Sequence, residues 1–146
     1  MNVTIDADFS ALTDVLQKLE KVSDPKGRET ILKAGASVIH ANAVINIEAQ
    51  GLIDTSKLIN SIKIHKLTPD YADVGSAGVV YAAIHEFGGI IKPLTSDFLY
   101  FYSEQHGSII KKRMVTIPAR PYLRPAVDEH LDDIKNAMEY QIMRMI

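Results

Sequence analysis

The sequence predicts an α+β fold in which N-terminal helices, one of them long, precede antiparallel strands and a C-terminal helix. Apolar residues recur at helical spacing over most of the first fifty residues and again over the last twenty. Between these two stretches, short alternating runs are separated by turn residues, which is typical of hairpins and of a β-meander. Because the helices and the strands are segregated along the chain, an antiparallel sheet is favoured.

Length and composition restrict the possible classes of protein. A chain of 146 residues is expected to form one domain, covering 1–146, with a substantial core. The formal net charge of -2 predicts no basic surface for DNA or RNA. The absence of cysteine excludes disulfides and thiolate metal sites. The first residues contain no positively charged stretch before their apolar residues, so no secretory signal is predicted. No apolar run approaches the roughly 20 residues that a membrane span needs.

Two helices are predicted before the first strand. The spacing of Leu12, Leu16 and Leu19 predicts a helix over residues 9–22. The second helix should run from Pro25 to Gln50, because Asp24 before a proline is a typical helix start and Gly51 is a typical C-terminal cap.

The second helix has apolar residues around most of its circumference. One stripe consists of Ile31, Ala34, Val38, Ala41, Ile45 and Ala49, and further apolar residues outside it are Ile39, Ala43, Val44 and Ile47. A helix of this kind must be covered on more than one side. The cover is either a sheet with another helix of the same chain or a neighbouring subunit, and the pattern leaves both alternatives open.

The middle of the chain predicts short elements. A helical turn through Leu58 should lead into a strand with Ile62 and Ile64 on one face, and "TPDYADVG" should turn into a returning strand. A short helix is predicted over residues 81–87, followed by extended chain from Gly89. A second hairpin should pair Leu99–Tyr102 with Met114–Ile117 around a polar tip. The last helix should start at Pro125, and its expected core stripe is Val127, Leu131, Ile134, Met138, Ile142 and Met145.

The stretch "YAAIHEFGG", residues 81–89, is the first of two unusual motifs. His85 and Glu86 suggest a zinc protease motif, but such a motif needs a second histidine at position 89, which is Gly89. No other histidines have a metal-ligand spacing, so we predict neither a catalytic residue nor a metal or cofactor site. The motif is predicted to be architectural: Tyr81, Ile84 and Phe87 should face a core, Gly88 should adopt a left-handed conformation, and Gly89 should allow close backbone approach.

The second motif is "IPARPYLRPA", residues 117–126. Its prolines fix φ and keep the preceding residues extended, so residues 118–125 should form a rigid segment, which we call the strap. The strap could be an interaction surface, or it could pack over the domain's own sheet. The residues that define it are Pro118, Arg120, Pro121, Tyr122, Leu123, Arg124 and Pro125. We further predict that Glu86 and Arg120 form an ion pair between the two motifs.

Together these motifs resemble the tailed-bacteriophage virion morphogenesis or tail-completion family, which includes the Mu-like G proteins. Members are similar in having a Y-A-x-x-x-E/Q-F-G segment, an intervening hairpin and a P-A-R-P-F/Y-L strap. The upstream "DTSKLINSI" is also similar, with Ser56 where the family commonly has glycine. The resemblance covers roughly residues 50–127.

The resemblance implies a structural protein of the virion, not an enzyme, that acts in tail completion or head–tail joining at the neck and is assembled in the host bacterial cytoplasm. Its implied partners are tail and neck proteins: the tail tube or its terminator, and a connector or portal-side adaptor. A tail-tube terminator or a head-side connector is the nearest alternative role. From other classes, the alternatives are a small intracellular hydrolase using His85 and Glu86, and a host binding module.

We also expect the protein to work as a homo-oligomer in the particle. The candidate contact surfaces are the second helix and the hairpin over residues 99–117. In "FLYFY", residues 98–102, alternation places Phe98, Tyr100 and Tyr102 on one face of a strand. A two-stranded hairpin would expose these aromatic side chains unless a partner covers them.

Overall fold

The computed structural model describes residues 10–52 and 55–146 and confirms the α+β class. The helices are α1 (Ser10–Ser23), α2 (Pro25–Gln50), α3 (Thr55–Ser61), α4 (Ala82–Phe87), α5 (Leu123–Asp128) and α6 (Leu131–Met145). The strands are β1 (Ile62–Leu67), β2 (Ala72–Ser76), β3 (Gly89–Ile91), β4 (Leu99–Ser103), β5 (Ser108–Lys112) and β6 (Val115–Ile117). Residue 9, where the first helix was expected to begin, lies outside the described residues.

Helix α2 has the predicted bounds because both of its ends are capped. The Asp24 side chain accepts a hydrogen bond from the Gly27 amide, and Pro25 occupies the first turn. At the other end, Gly51 is left-handed with φ 54°, and its amide donates to the Glu48 carbonyl. These caps satisfy backbone groups that a helix end otherwise leaves without partners.

Other elements of the same chain cover α2 on several sides. Helix α6 packs along it, and α5, β1 and β2 contact other parts of its surface. The buried residues of α2 are Gly27, Ile31, Gly35, Ala36, Ala43 and Ile47. The predicted stripe is therefore wrong in its second half, where Ala41, Ile45 and Ala49 are exposed. Most of the buried positions are four or eight residues apart, so they form one row along the helix. This row is the side of α2 that contacts α6 and the core.

A single core cluster lies beside the second half of α2. Its fully or almost fully buried members are Ala43, Ile47, Leu52, Leu58, Ile62, Ala82, Tyr122 and Ala126. These residues come from α2, α3, β1, α4 and the strap with α5, so elements distant in sequence share one core. Leu58 lies in the predicted helical turn and Ile62 in the predicted strand, and both side chains are buried.

The strands form three antiparallel pairs, β1–β2, β3–β6 and β4–β5. The first hairpin is confirmed, but the predicted partner of Leu99–Tyr102 is wrong. The tight turn at residues 104–107 pairs Tyr102 with Ile109, which directs β4 onto β5. Strand β6 then pairs with β3, and in the sequence these two strands enclose the β4–β5 pair. Residues 89–117 thus form one nested two-stranded structure, which we call the arm.

The predicted last helix is two helices. The helical conformation is interrupted at Glu129 and His130. Pro125 therefore lies within α5 and not in the first turn of the final helix. Asp132 and Asp133 occupy the first turn of α6, the place expected for residues 128 and 129. Leu131 is 60% exposed, because it begins the new helix on the solvent side. The residues of the predicted stripe that face α2 are half-buried: Ile134, Met138, Ile142 and Met145.

Candidate functional site

Helix α4 carries the first motif and turns a polar face inward. Ala82, His85 and Glu86 are buried, whereas Phe87 is 73% exposed. The prediction that Phe87 faces the core is wrong, because the buried side of this six-residue helix contacts the strap through Glu86. Tyr81 and Ile84 are half-buried, and Tyr81 packs against the core cluster.

The Glu86 carboxylate joins the two motifs. Its Oε2 atom accepts hydrogen bonds from the amides of Tyr122 at 2.8 Å and Leu123 at 2.9 Å, and its Oε1 atom accepts one from the Arg124 amide at 2.9 Å. These amides lie at the start of α5, where no intrahelical acceptor is available. Hydrogen bonds from amides to an ionised carboxylate are stronger than those to neutral acceptors. Glu86 therefore caps α5 from a different element.

The predicted ion pair between Glu86 and Arg120 is wrong. Among the described residues, no ion pair joins these two side chains, and the side chain of Arg120 is exposed. The backbone of Arg120 takes part instead, since its amide donates to the His85 carbonyl at 2.7 Å. Backbone amides and the Tyr122 hydroxyl, and not a basic side chain, connect the strap to α4.

Two amide side chains of α2 hold the strap from its other side. Gln50 Nε2 donates to the Pro121 carbonyl at 2.8 Å, and Asn46 Nδ2 donates to the Tyr122 carbonyl at 3.0 Å. The sequence analysis missed both residues. Their spacing of four places both side chains on one face of α2, and this is the signal that could have identified them. We call the set of contacts from Glu86, Asn46 and Gln50 to the strap the clasp.

Tyr122 is the buried anchor of the strap. It is 1% exposed, and its hydroxyl donates to the Ala82 carbonyl at 3.3 Å. Burial, with the nearby Glu86 carboxylate as the smaller cause, raises the pKa of Tyr122 to about 12. The strap thus packs on its own domain, onto helices and not onto a sheet. Leu123 is half-buried, and the side chains of Arg120 and Arg124 remain exposed.

Gly88 is where α4 meets the base of the arm. Its φ of 69° and ψ of 178° lie in a region that essentially only glycine adopts. A Cβ atom there would lie 2.8 Å from the Ala119 amide nitrogen and 3.0 Å from the Ile117 carbonyl oxygen. The close backbone approach expected at Gly89 therefore occurs one residue earlier, while a Cβ at Gly89 would meet only the Ile84 side chain, at 3.3 Å.

Comparison with known families gives one match. The phage virion morphogenesis family matches residues 42–142, a span that contains both motifs, the arm and the clasp. The chain belongs to the phage virion morphogenesis family. The match is to the family as a whole and does not distinguish one group of its members, such as the Mu-like G proteins, from another. No curated protein and no solved structure matches the chain.

In this virion morphogenesis protein, the arm presents the aromatic face that the sequence predicted. Tyr100 pairs with Lys111 and Tyr102 pairs with Ile109, so these four side chains lie on one face of the β4–β5 pair. Tyr100 is 63% and Tyr102 is 65% exposed. Phe98 is half-buried, and the Lys111 Nζ atom lies 3.8 Å from the centre of its ring.

Two further findings concern the part of the virion morphogenesis protein that the structure describes. Within residues 10–52 and 55–146, no group of three histidine, aspartate or glutamate side chains is arranged to hold a metal ion. No helix in these ranges is both long enough and apolar enough to cross a membrane.

His85 is a buried histidine without the surroundings of a catalytic base. Its ring meets the Tyr81 ring edge to face, with centroids 5.6 Å apart, and its buried Nδ1 atom has no hydrogen-bond partner within the described chain. Burial, and secondarily the positive charge of Arg120, lowers the pKa of His85. The hydrolase alternative would require Glu86 to act with this ring, but three backbone amides already occupy that carboxylate.

We expect His85 to make the family member less stable in acid. Because its pKa is lowered on folding, the unfolded chain binds the proton more readily, and stability falls as the pH drops below about 6.5, the ordinary histidine value. Urea unfolding of wild type and His85→Gln at pH 7.5 and 5.5 should show a smaller loss in the variant. Equal losses in the two proteins would contradict this assignment. The exposed substitution His106→Gln serves as the control.

Proposed function

We propose that the protein is a structural subunit of the virion that acts in tail completion or head–tail joining at the neck. The observation that carries the proposal is the family match over the two motifs, together with the use of those motifs as an internal clasp. Glu86 and Tyr122, the most distinctive side chains of the two motifs, are buried and form hydrogen bonds with backbone groups of the same chain. They therefore maintain a shape, as a structural subunit requires, and three backbone amides occupy the Glu86 carboxylate.

The exposed features supply candidate contact surfaces. The arm exposes aromatic and aliphatic side chains, and α2 exposes a strip at Ala41, Ile45 and Ala49. In the proposed role these surfaces contact further copies of the chain and the neighbouring neck proteins: the tail tube or its terminator, and a connector or portal-side adaptor. Neck structures have rotational symmetry, so repeated subunits need complementary faces that close a ring.

Electron microscopy of lysates made without this protein tests the proposal. We expect DNA-filled heads and separate tails that do not join, and we expect wild-type protein supplied in trans to restore joined particles. His85→Gln protein should restore them equally well, because the ring takes no part in a reaction. Tails of irregular length would favour the tail-tube terminator, and heads that lose their DNA would favour the head-side connector. Normal infectious particles in the absence of the protein would refute all three roles.

A further inference from the structure

The arm exposes more apolar surface than an isolated hairpin normally does. Its exposed large apolar residues are Ile90, Ile91, Leu94, Tyr100, Phe101, Tyr102, Ile109 and Met114. Among the described elements, no helix packs broadly against either strand pair of the arm. A two-stranded ribbon is marginally stable alone, and so many exposed large apolar side chains on one ribbon indicate an interaction site. The arm is therefore built to be covered by another molecule.

One face of the arm combines aromatic and basic groups. Tyr100, Tyr102 and Ile109 share this face with Lys111, whose Nζ atom lies 6.0 Å from the centre of the Tyr100 ring. The Arg113 guanidinium extends the same face, since it lies 5.6 Å from the centre of the Phe98 ring. Such a face suits a partner that offers an apolar side chain surrounded by negative charge.

The charges of the chain are distributed unevenly between the arm and the remainder. Over residues 89–117 there are 4 basic residues (Lys92, Lys111, Lys112 and Arg113) and 2 acidic residues (Asp97 and Glu104), which gives a net charge of +2. Because the whole chain carries -2, the remaining residues carry -4. A positive arm and a negative remainder favour contact between different copies of the same chain.

The negative charge outside the arm is concentrated where α5 meets α6. Asp128, Glu129, Asp132 and Asp133 are all exposed there, and Leu131 between them is 60% exposed. The junction also contains His130, whose Nδ1 atom lies 3.0 Å from the Asp133 carboxylate. An exposed leucine flanked in sequence by exposed carboxylates is the complement of the aromatic and basic face of the arm.

We propose that the arm of one copy docks its aromatic and basic face onto the α5–α6 junction of a second copy. The two contacting faces differ, so the contact is head-to-tail: every copy keeps a free arm and a free junction for its neighbours, and a ring forms if the rotation closes. This contact would join the subunits in the proposed neck role and to that extent rests on it. The test uses purified protein and does not depend on the result with particles.

Charge reversal on the two faces provides the test. In one variant, Lys111→Glu with Arg113→Glu makes the arm negative. In the other, Asp128→Lys with Asp132→Lys and Asp133→Lys makes the junction positive. Each variant alone should self-associate at least about tenfold more weakly than wild type in sedimentation velocity at low salt, because like charges then face each other. An equimolar mixture should associate again, since each arm meets an oppositely charged junction. A chain carrying all five substitutions should also associate, since its arm and its junction again have opposite charges.

Disulfide trapping detects the contact even when it is weak, and the natural chain has no cysteine to interfere. Oxidised protein with both Tyr102→Cys and Leu131→Cys should give a reducible ladder above the dimer, whereas either single variant should stop at the dimer. Circular dichroism confirms that each variant folds.

Three results would overturn the proposal. The first is the absence of a ladder from the folded double-cysteine variant, and the second is wild-type association in both charge-reversed variants. The third is a wild-type protein that does not self-associate but binds a single-stranded oligonucleotide in a salt-dependent way, with this binding lost in the arm variant. That result would show that the arm binds nucleic acid. If these tests fail while particles still require the protein, the neck role stands without this contact.

Discussion

Replacing Glu86 by alanine is expected to lower the free energy of unfolding by about 3–5 kcal/mol. The substitution removes the acceptor of three backbone amides at the start of α5 and leaves them without a partner beside a buried tyrosine. The loss should appear in urea unfolding as a lower midpoint with an unchanged slope. We expect Glu86→Gln to lose less, about 1–3 kcal/mol, because its amide oxygen can still accept some of these hydrogen bonds.

Two controls distinguish the clasp from a general charge effect. Glu104→Ala removes a carboxylate from the exposed tip of the arm and should change stability by no more than about 0.5 kcal/mol. A double-mutant cycle between Glu86 and Arg120 should give a coupling of about 1 kcal/mol or less, since the two side chains do not form an ion pair. Strong coupling, or a Glu86→Ala variant as stable as Glu104→Ala, would contradict the clasp.

Replacing Gly88 by alanine is expected to cost about 3 kcal/mol or more. The backbone conformation alone costs about 1–3 kcal/mol for a residue with a side chain. In addition, the new methyl group would lie 2.8 Å from the Ala119 amide nitrogen, so the strap or the arm would have to move.

Gly107→Ala is the matched control for this substitution. Gly107 also has a positive φ, 58°, but no atom lies within 4 Å of the position of its Cβ. Alanine there should cost only about 1–2 kcal/mol, from backbone strain. Thermal unfolding of both variants separates the loss of stability caused by the steric clash from the loss caused by the backbone conformation. Equal losses at the two positions would show that the contact between the chain at Gly88 and the strap is not tight.

Local signals in the sequence were sufficient to predict both ends of α2 and the first hairpin. Asp24, Pro25 and Gly51 gave both ends of α2, because capping depends on residues adjacent in sequence. The alternation at Ile62 and Ile64 likewise identified β1. By contrast, the pairing of β6 with β3 was not predicted, because the choice between two apolar partners depends on the turn at residues 104–107 and on the base of the arm.

The clasp was predicted only in part, because Glu86 and the strap were singled out in the sequence whereas Asn46 and Gln50 were not. The two motifs do meet, yet the sequence suggested that Glu86 would pair with the opposite charge of Arg120. Its actual partners are backbone amides, which every residue except proline carries and which no side-chain pattern reveals. The position of these amides after Pro121, at the start of a helix that lacks its own cap, is the clue that physical reasoning could have used.

The outward position of Phe87 has a similar explanation. In a helix of six residues, apolar spacing cannot identify the buried face, because the hydrogen bonds of the Glu86 carboxylate to the strap determine the orientation of the whole helix. Glu86 points to the strap, so the adjacent Phe87 points to solvent. The functional consequence is that substitutions in either motif should act through folding, and through the position of the arm, before they affect any contact with a partner.

Amide hydrogen exchange at Tyr122, Leu123 and Arg124 tests most directly whether the two motifs form an internal clasp. In the wild-type protein at neutral pH, we predict that these three amides are protected to nearly the same free energy as global unfolding, while the Gln105 amide at the tip of the arm exchanges rapidly. In Glu86→Gln, protection of the three amides should fall by more than the loss of global stability. Rapid exchange of all three in folded wild-type protein would contradict the clasp.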